Sequence, residues 1–223
     1  MGKYDISMEI SGLTAMWTRP DTGDCPVSYP VPTYSAVRGI FESILWGPAI
    51  QIIPTKVTIC SPLQYHNYKT NYGGPLRKPR VISSGGGFQL LATVLINVHY
   101  QLYAEVIPLS QEQKNIMPLS AKMWDDRTTS PGHAYKDIFE RRLKRGQCYS
   151  IPFLGWKEFG PTYFGPIRDN SIKQTDINMV IPSMLREVFS RGYSSDVDFS
   201  FDQNLSILNG VLIFPRREKC NAK

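Results

Sequence analysis

Apolar residues recur at helical spacing in one segment of the N-terminal third of the chain. Pro30 and Pro32 restrict the backbone ahead of it, since a proline ring fixes φ and removes the N–H donor. Thr33 can then cap a helix, because its hydroxyl accepts a hydrogen bond from the first turn. The apolar stripe occupies positions i, i+3, i+4, i+7 and i+8: Val37, Ile40, Phe41, Ile44 and Leu45. The pattern predicts a helix over residues 33–46 with one buried face.

A glycine interrupts the middle of this helix. Gly39 lowers helix stability by about 1 kcal/mol relative to alanine, so we expect another group to approach the backbone there. Arg38, beside it, lies on the polar face. The segment therefore predicts a buried helix with a notch at the glycine and a cation next to that notch.

Strand-like alternation of apolar and polar residues surrounds the helix. It predicts strands over residues 4–12, 49–59 and 90–108, with a bend at Pro54 in the second of them. Residues 61–87 lie between two of these strands and show little apolar periodicity. A stretch of that length predicts an inserted loop that is either functional or disordered.

A second helix is predicted over residues 135–146, with Gly146 suited to the left-handed position that ends many helices. Further short strands are predicted over 147–159, 179–181 and 208–214. The order of elements is compatible with a ferredoxin-like β-α-β-β-α-β unit. We therefore expect an α+β fold, with this unit followed by a smaller β-rich region.

Composition and charge restrict the classes of function. The chain has 223 residues, 42% of them hydrophobic, a net charge of +6 and a pI near 9.1. A positive charge suits a partner that carries phosphates, although many soluble proteins reach +6 without one. No C-x-x-C pair links the four cysteines, which predicts free thiols in a reducing cytoplasm: Cys25, Cys60, Cys148 and Cys220. A signal peptide and a membrane span are not expected, because no apolar run of about eighteen residues exists.

The inserted loop combines aromatic and basic residues in the way that RNA-binding segments do. Cations hold phosphates, and aromatic faces stack on bases that lie outside a duplex. Within sixteen residues the loop supplies Tyr65, Tyr68, Lys69, Tyr72, Arg77, Lys78 and Arg80. The alternative is a solvated surface loop with no ligand.

The second helix carries a basic cluster, formed by Arg141, Arg142, Lys144 and Arg145. Asp137 and Glu140 precede two of these cations by four residues, so the helix also fits a solvated face held by ion pairs. Arg142 and Arg145 have no such acidic neighbour. They are the better candidates for phosphate contacts.

RNA can be cut without a metal when a base removes the 2′-hydroxyl proton and a cation stabilises the charge that develops at the phosphate. Of the three histidines, His66 lies in the loop and His99 in a predicted strand, where a structural role is expected. His133 is the best acid–base candidate, with Tyr135 and Lys136 close to it in sequence. The alternative is an exposed histidine at the start of a helix.

Four segments of the chain together resemble a known family. They read Y-P-V-P-T-Y-S-A-V-R-G-I-F-E-S-I-L-W at 29–46, N-V-H-Y-Q at 97–101, D-I-F-E-R-R-L-K-R-G-Q at 137–147 and L-G-W-K-E-F at 154–159. In this order they are similar to the CRISPR-associated Cas five family, in its d branch (subtype I-C). The resemblance extends over most of the chain.

The resemblance implies an RNA-recognition-motif-like (RRM-like) domain over residues 1–160, with 61–87 as a thumb-like insertion, and a smaller β-rich region over 161–223. It also implies a subunit of a type I CRISPR surveillance complex (Cascade) that holds the 5′ repeat-derived handle of crRNA. The expected protein partners are the large subunit and the filament-forming backbone subunit, and no cofactor or metal is expected. The residues that we expect to contact RNA are Tyr34, Arg38, Lys69, Arg77, Lys78, Arg142 and Arg145.

The family pattern also contains proton-transferring residues, namely a tyrosine or histidine before the tryptophan of the first helix and a Lys-His pair before the second. This chain has Leu45 at the first position and H-A-Y at the second. Two hypotheses follow. Either His133, Tyr135 and Lys136 cleave precursor crRNA, or the protein binds RNA and another enzyme processes it. A third hypothesis, from a different class, is an interaction or scaffold protein with RRM-like topology and no RNA ligand.

Overall fold

A computed structural model describes residues 4–72, 88–109, 130–189 and 197–216. In these parts of the chain the strands are β1 (Asp5–Ala15), β2 (Ile50–Ile59), β3 (Gln64–Tyr72), β4 (Phe88–Pro108), β5 (Tyr163–Gly165), β6 (Met179–Phe189), β7 (Val197–Leu208) and β8 (Val211–Ile213). The helices are α1 (Tyr34–Ile44) and α2 (Pro131–Lys144). The expected α+β class is confirmed in its general form, as a mostly antiparallel sheet with two helices.

The strands form one sheet in the order β5-β1-β4-β2-β8-β7-β6, and β3 pairs with β4 outside this path. The long β4 organises the sheet, because it pairs along its length with β1, β2 and β3 in turn. Ile6, Met8 and Ile10 of β1 are buried in the core, as the alternation predicted. The helices pack on this sheet, with Phe41 of α1 against Phe139 of α2.

The first helix has the predicted cap and stripe. The Thr33 hydroxyl accepts a hydrogen bond from the amide of Ala36 at 3.3 Å. Four of the five stripe residues are buried in the helix, and Leu45 follows as its partly buried C-terminal cap. No other described part of the chain makes the close approach expected at Gly39, because apart from the backbone of its own helix no heavy atom lies within 4 Å of the position that a Cβ would occupy there.

The second helix begins four residues earlier than predicted. Pro131 occupies its first turn, where a fixed φ suits a helix and a missing N–H removes no hydrogen bond. The predicted end at Gly146 is confirmed: its φ is 63°, and its amide donates to the carbonyl of Leu143 at 3.2 Å.

Other predicted boundaries are wrong. Residues 64–72, expected within a loop, form β3, because hydrogen bonds to β4 hold a segment without apolar periodicity. Residues 147–159 contain turns and no strand. The terminal strand expected at 208–214 is divided by a turn at Asn209 and Gly210, both at positive φ, so that β7 and β8 form a hairpin.

Strands from the C-terminal part of the chain join the same sheet as those from the N-terminal part. β5 pairs with β1, and β8 pairs with β2. Neither helix in the described ranges is long and apolar enough to cross a bilayer.

Candidate nucleic-acid interface

The C-terminal end of α1 is held by two side chains of α2. The Tyr135 hydroxyl donates to the carbonyl of Leu45, and the Arg142 guanidinium donates to the carbonyl of Ile44 at 3.1 Å. These two donors lie seven residues apart and therefore on one face of α2. They satisfy carbonyls that have no partner inside α1. The two helices are thus joined at the point where α1 ends.

Exposed aromatic side chains and cations surround this junction. We define the helix-end surface as Trp46, Arg142, Arg145 and Tyr149. The Trp46 and Tyr149 side chains are 54% and 80% exposed, and Arg145 is exposed as well. The amide of Tyr149 donates to the carbonyl of Ser43 at 2.8 Å, which places this residue against the end of α1. Stacking faces beside cations are the features that bind single-stranded nucleic acid.

Ion pairs on α2 run in the direction opposite to the prediction. Asp137 lies 3.3 Å from His133, and Glu140 lies 3.8 Å from Lys136, so each carboxylate faces the residue four positions before it. The four cations at the C-terminal end of the helix make no ion pair with any other described residue: Arg141, Arg142, Lys144 and Arg145. The positive charge at this end of α2 is therefore less neutralised by carboxylates than the sequence indicated.

The structure separates the three candidate catalytic residues into two groups. His133 and Lys136 stand three residues apart on the solvent-accessible part of α2, where i and i+3 side chains are neighbours. The His133 side chain is 58% exposed. Tyr135 is only 5% exposed and faces the core, with its hydroxyl bound to Leu45.

Burial changes the role of Tyr135. It raises the pKa of the Tyr135 hydroxyl, and the charge of the nearby Glu42 carboxylate raises it further. A phenol in this setting keeps its proton near neutral pH. The expectation that Tyr135 transfers a proton to or from RNA is therefore corrected to a structural role.

Tyr34 is also buried, which corrects its expected contact with RNA. The guanidinium carbon of Arg186 lies 3.8 Å from the centre of its ring, and Phe214 packs against the ring edge-on. A base could not stack there without displacing one of them. Arg38 is partly exposed, and its guanidinium lies 3.0 Å from the Glu187 carboxylate. Its guanidinium is therefore at the surface but is already paired with the carboxylate of Glu187.

The predicted contacts in the 61–87 segment lie partly on β3 and partly outside the described residues. Lys69 is exposed on β3. Tyr68, on the opposite face of that strand, packs edge-on against Trp156 and Phe159. Arg77 and Lys78 lie outside the described residues, so their contact with RNA stays a prediction.

His99 has the structural role expected of it, as part of a hydrogen-bonded network around Glu9. The sequence did not predict the other members of this network. Its Nε2 lies 2.9 Å from the buried carboxylate of Glu9, which also accepts hydrogen bonds from the Arg168 side chain and the Ser171 hydroxyl, both at 2.6 Å. Burial alone would raise the pKa of Glu9, but these hydrogen bonds together outweigh it and lower that pKa. The network attaches the 166–171 segment to the sheet.

Trp46 and Tyr149 were missed as candidate ligand contacts. The sequence pattern predicts Trp46 as the last residue of a helix and Tyr149 as part of a strand. One available signal was the position of Tyr149 directly after the basic helix and its C-terminal glycine. Their exposure depends on where α1 and the 147–159 segment meet, which only the folded chain reveals.

Comparison with known proteins gives two kinds of similarity. Residues 5–176 match the family model Cas_Cas5d, described as CRISPR-associated protein (Cas_Cas5). Two curated relatives, each named CRISPR pre-crRNA endoribonuclease Cas5d, are 28% identical to this chain. The relative from Mannheimia succiniciproducens aligns over 82% of this chain and 84% of its own length, and that from Thermus thermophilus over 81% and 71%.

Solved structures show the same fold at lower sequence identity. A crystal structure of a CRISPR-associated protein superposes with a TM-score of 0.69 at 19% identity, over 98% of this chain and 95% of its own. A functionally uncharacterized protein from Streptococcus mutans superposes with the same score and coverage at 18% identity.

Proposed function

This chain belongs to the Cas5d family of CRISPR-associated proteins, and we propose that it is a pre-crRNA endoribonuclease that also binds the 5′ handle of crRNA. The names of both curated relatives support the activity. The observation in the molecule that supports it most is the helix-end surface, where exposed aromatic rings adjoin cations without carboxylate partners among the described residues.

The chemistry assigned to α2 is transesterification without a metal. In this step His133 removes the proton of a 2′-hydroxyl, and the resulting oxygen attacks the adjacent phosphorus. The 5′-oxygen leaves and takes a proton from water, which gives a 2′,3′-cyclic phosphate and a 5′-hydroxyl. Asp137, 3.3 Å from the imidazole, stabilises the protonated histidine. Lys136 stabilises the negative charge that develops on the phosphate oxygens.

The positions of these groups along α2 suit a bound strand. His133 and Arg145 are twelve residues apart, or roughly 18 Å along the helix axis. RNA held by the cations at one end of α2 can therefore present a phosphate at the other end. Arg142 and Arg145 bind the strand in this arrangement, and Lys69 on β3 adds a further cation.

The test is incubation of the purified protein with the repeat RNA of its own CRISPR array in EDTA. We expect cleavage that leaves a 5′-hydroxyl, and a loss of rate of at least 100-fold in His133→Ala. His66→Ala removes another exposed histidine, on β3, and is the matched control. Equal cleavage by the two variants would refute the assignment of His133.

A second candidate function is RNA binding without cleavage, with processing by another enzyme. Two observations favour it: Leu45 has no group that can transfer a proton, and Tyr135 uses its hydroxyl to hold the Leu45 carbonyl. Repeat RNA that stays intact while binding tightly to the protein supports this candidate over the first. A protein that neither binds nor cuts the repeat contradicts both.

We also infer that β1, α1, β2, β4, α2 and β5 constitute the RRM-like unit. Their strand order, β5-β1-β4-β2, is fully antiparallel and is supported by the pairings of β1 and β4. In this proposal residues 1–160 form the RNA-binding domain except for β5, which comes from the smaller region, 161–223, and completes the sheet of the domain by pairing with β1. The protein acts in the cytoplasm, in a Cascade complex with a large subunit and a filament-forming backbone subunit.

A further inference from the structure

An open cleft lies beside the middle of α1. The 152–155 segment crosses the outer face of the helix and leaves a space of about 270 Å³ between them. Ala36, Gly39 and Ser43 of α1 line one side, and Phe153 lines the other. Trp17, buried in the core, contributes to the lining as well.

Gly39 keeps this cleft open. Apart from the backbone of its own helix, an ideal Cβ at this position would meet no heavy atom within 4 Å, and Gly39 is not among the glycines at positive φ. Neither crowding nor backbone conformation therefore requires a glycine here, although glycine destabilises a helix interior by about 1 kcal/mol relative to alanine. What the absent side chain leaves is space on the outer face of α1.

A second, larger cleft of about 510 Å³ adjoins the first, because Phe153 and Gly155 line both. Its wall includes Tyr68 of β3 and Trp156. Trp156 is held in place, since its ring stacks on Phe159 at 5.7 Å and its indole N–H donates to the Thr18 hydroxyl at 3.1 Å. The two clefts form one groove with aromatic side chains along it.

The groove also has a charged rim and a connection to the helix-end surface. Lys157 and Glu158 both line its second half. Lys157 is exposed and has no ion pair with another described residue. Ser43 lines the first half, and its carbonyl accepts the amide of Tyr149. A strand on the helix-end surface therefore reaches the groove without crossing the core.

We propose that the cleft at Gly39 holds an unstacked base of single-stranded RNA, while the neighbouring nucleotide lies along Trp156 with its phosphate near Lys157. The inference rests on the proposed function and names a base-binding position within it. RNA suits the groove better than an apolar peptide does, because flat aromatic walls next to an exposed lysine match a base joined to a phosphate. The chain's net charge of +6 acts in the same direction.

Substitution of Gly39 tests the cleft without removing any contact. Gly39→Ala should raise the melting temperature and leave RNA affinity within about twofold of the wild type, because it adds helix propensity and little volume. Gly39→Leu should fold but bind the fluorescently labelled repeat RNA at least tenfold more weakly, because leucine fills the space. Gly160→Leu is the matched control, since a Cβ there also meets nothing within 4 Å and Gly160 lines neither cleft.

A series of repeat RNAs, each with one abasic site, identifies the base. For the wild type, one RNA of the series should bind about tenfold more weakly than the intact repeat, because it lacks the base that the cleft holds. Gly39→Leu should show no further loss of affinity with that RNA, since the substitution and the abasic site remove the same interaction. If Gly39→Leu melts below the wild type, the same binding measurements are made on Ala36→Leu, which fills the same cleft. Wild-type affinity in Ala36→Leu would then overturn the base site.

The outcomes separate the two proposals. RNA binding by the wild type with an unchanged affinity and abasic profile in Gly39→Leu overturns the base site and leaves the proposed function standing. Absence of RNA binding by the wild type overturns the proposed function, and the base site with it. The base site is also overturned if Gly39→Leu weakens the binding of every abasic RNA in the series by the same factor.

Discussion

At the scale of single residues, hydrogen-bond partners decide which titratable groups are available for chemistry. Tyr135 and His133 are two positions apart, yet one is bound to the Leu45 carbonyl and the other is exposed beside Asp137. His99 is bound to the buried Glu9. Of these groups, His133 is the one that a substrate can reach.

The carboxylate of Glu9 should make stability depend on pH. Its pKa is lowered in the folded protein, so its stabilising contribution is present above the ordinary value of 4.5 and is lost as the pH falls through the folded value. Glu9→Gln should reduce the free energy of unfolding by about 2–3 kcal/mol at pH 7, because charged hydrogen bonds are lost. Urea unfolding between pH 3 and pH 7 measures this, and the difference from the wild type should shrink at the acidic end.

The exposed Glu158 provides the control for that experiment. Glu158→Gln should change the free energy of unfolding by less than about 0.5 kcal/mol, as surface substitutions usually do. A Glu9→Gln difference that stays constant down to pH 3 would contradict the proposed ionised network.

At the scale of elements, α2 carries three surfaces on one helix. Phe139 and Leu143 are buried against the core, and Arg142 and Tyr135 hold the end of α1. Its remaining surface has His133, the proposed acid–base group, near the N-terminal end, and near the C-terminal end it has cations with no ion-pair partner among the residues that the structure describes. In the proposed function, this separation places cleavage and strand binding on different turns of α2.

The salt dependence of RNA binding tests the cationic end of α2. Simultaneous Arg141→Gln, Lys144→Gln and Arg145→Gln should weaken binding and reduce the slope of log affinity against log salt by about 2, since each phosphate contact on a single strand contributes about 0.7. Filter binding between 50 and 300 mM salt measures the slope.

A charge-matched variant separates local contact from the effect of net charge. Arg19→Gln, Lys173→Gln and Arg216→Gln also remove three charges, but outside α2. We expect this variant to keep the wild-type slope to within about 0.5. Equal slopes for the two triple variants would refute the placement of the strand on α2.

At the scale of the whole molecule, one continuous sheet links the two ends of the chain. A buried ion pair strengthens the link: Arg186 of β6 lies 2.9 Å from Asp202 of β7, over the ring of Tyr34 in α1. The same guanidinium donates to the carbonyl of Pro215 at 3.2 Å. The C-terminal hairpin is thereby attached to the first helix as well as to β2.

Removal of the carboxylate should therefore destabilise the whole protein. Asp202→Asn leaves Arg186 buried without its opposite charge, and we expect a loss of about 3–5 kcal/mol in the free energy of unfolding. Tryptophan fluorescence and far-UV circular dichroism should report the same single transition in the wild type and the variant. Two separate transitions in Asp202→Asn would show that the C-terminal strands unfold independently.

Local physics let the sequence determine much of the fold. The Thr33 cap, the apolar stripe of α1, the end of α2 at Gly146 and the irregularity next to Pro54 all follow from interactions within a few residues. Family membership was also readable from sequence, because it rests on residue identities in order. The position of His133 inside α2 does not belong to this group, because the helix begins four residues earlier than the pattern predicts.

Tertiary structure decided the features that depend on distant partners. The β3 strand exists because β4 supplies its hydrogen bonds, and Glu9 is stabilised by groups that follow it by ninety residues or more. Tyr34 and Tyr135 changed from candidate contacts to buried residues for the same reason. The sequence determined that residue 39 has no side chain. Only the path of residues 152–155 next to α1 encloses the space at Gly39 as a cleft. The periodicity of a sequence specifies which face of a helix or strand is apolar. Which distant segment packs next to that helix or strand is determined by the tertiary structure.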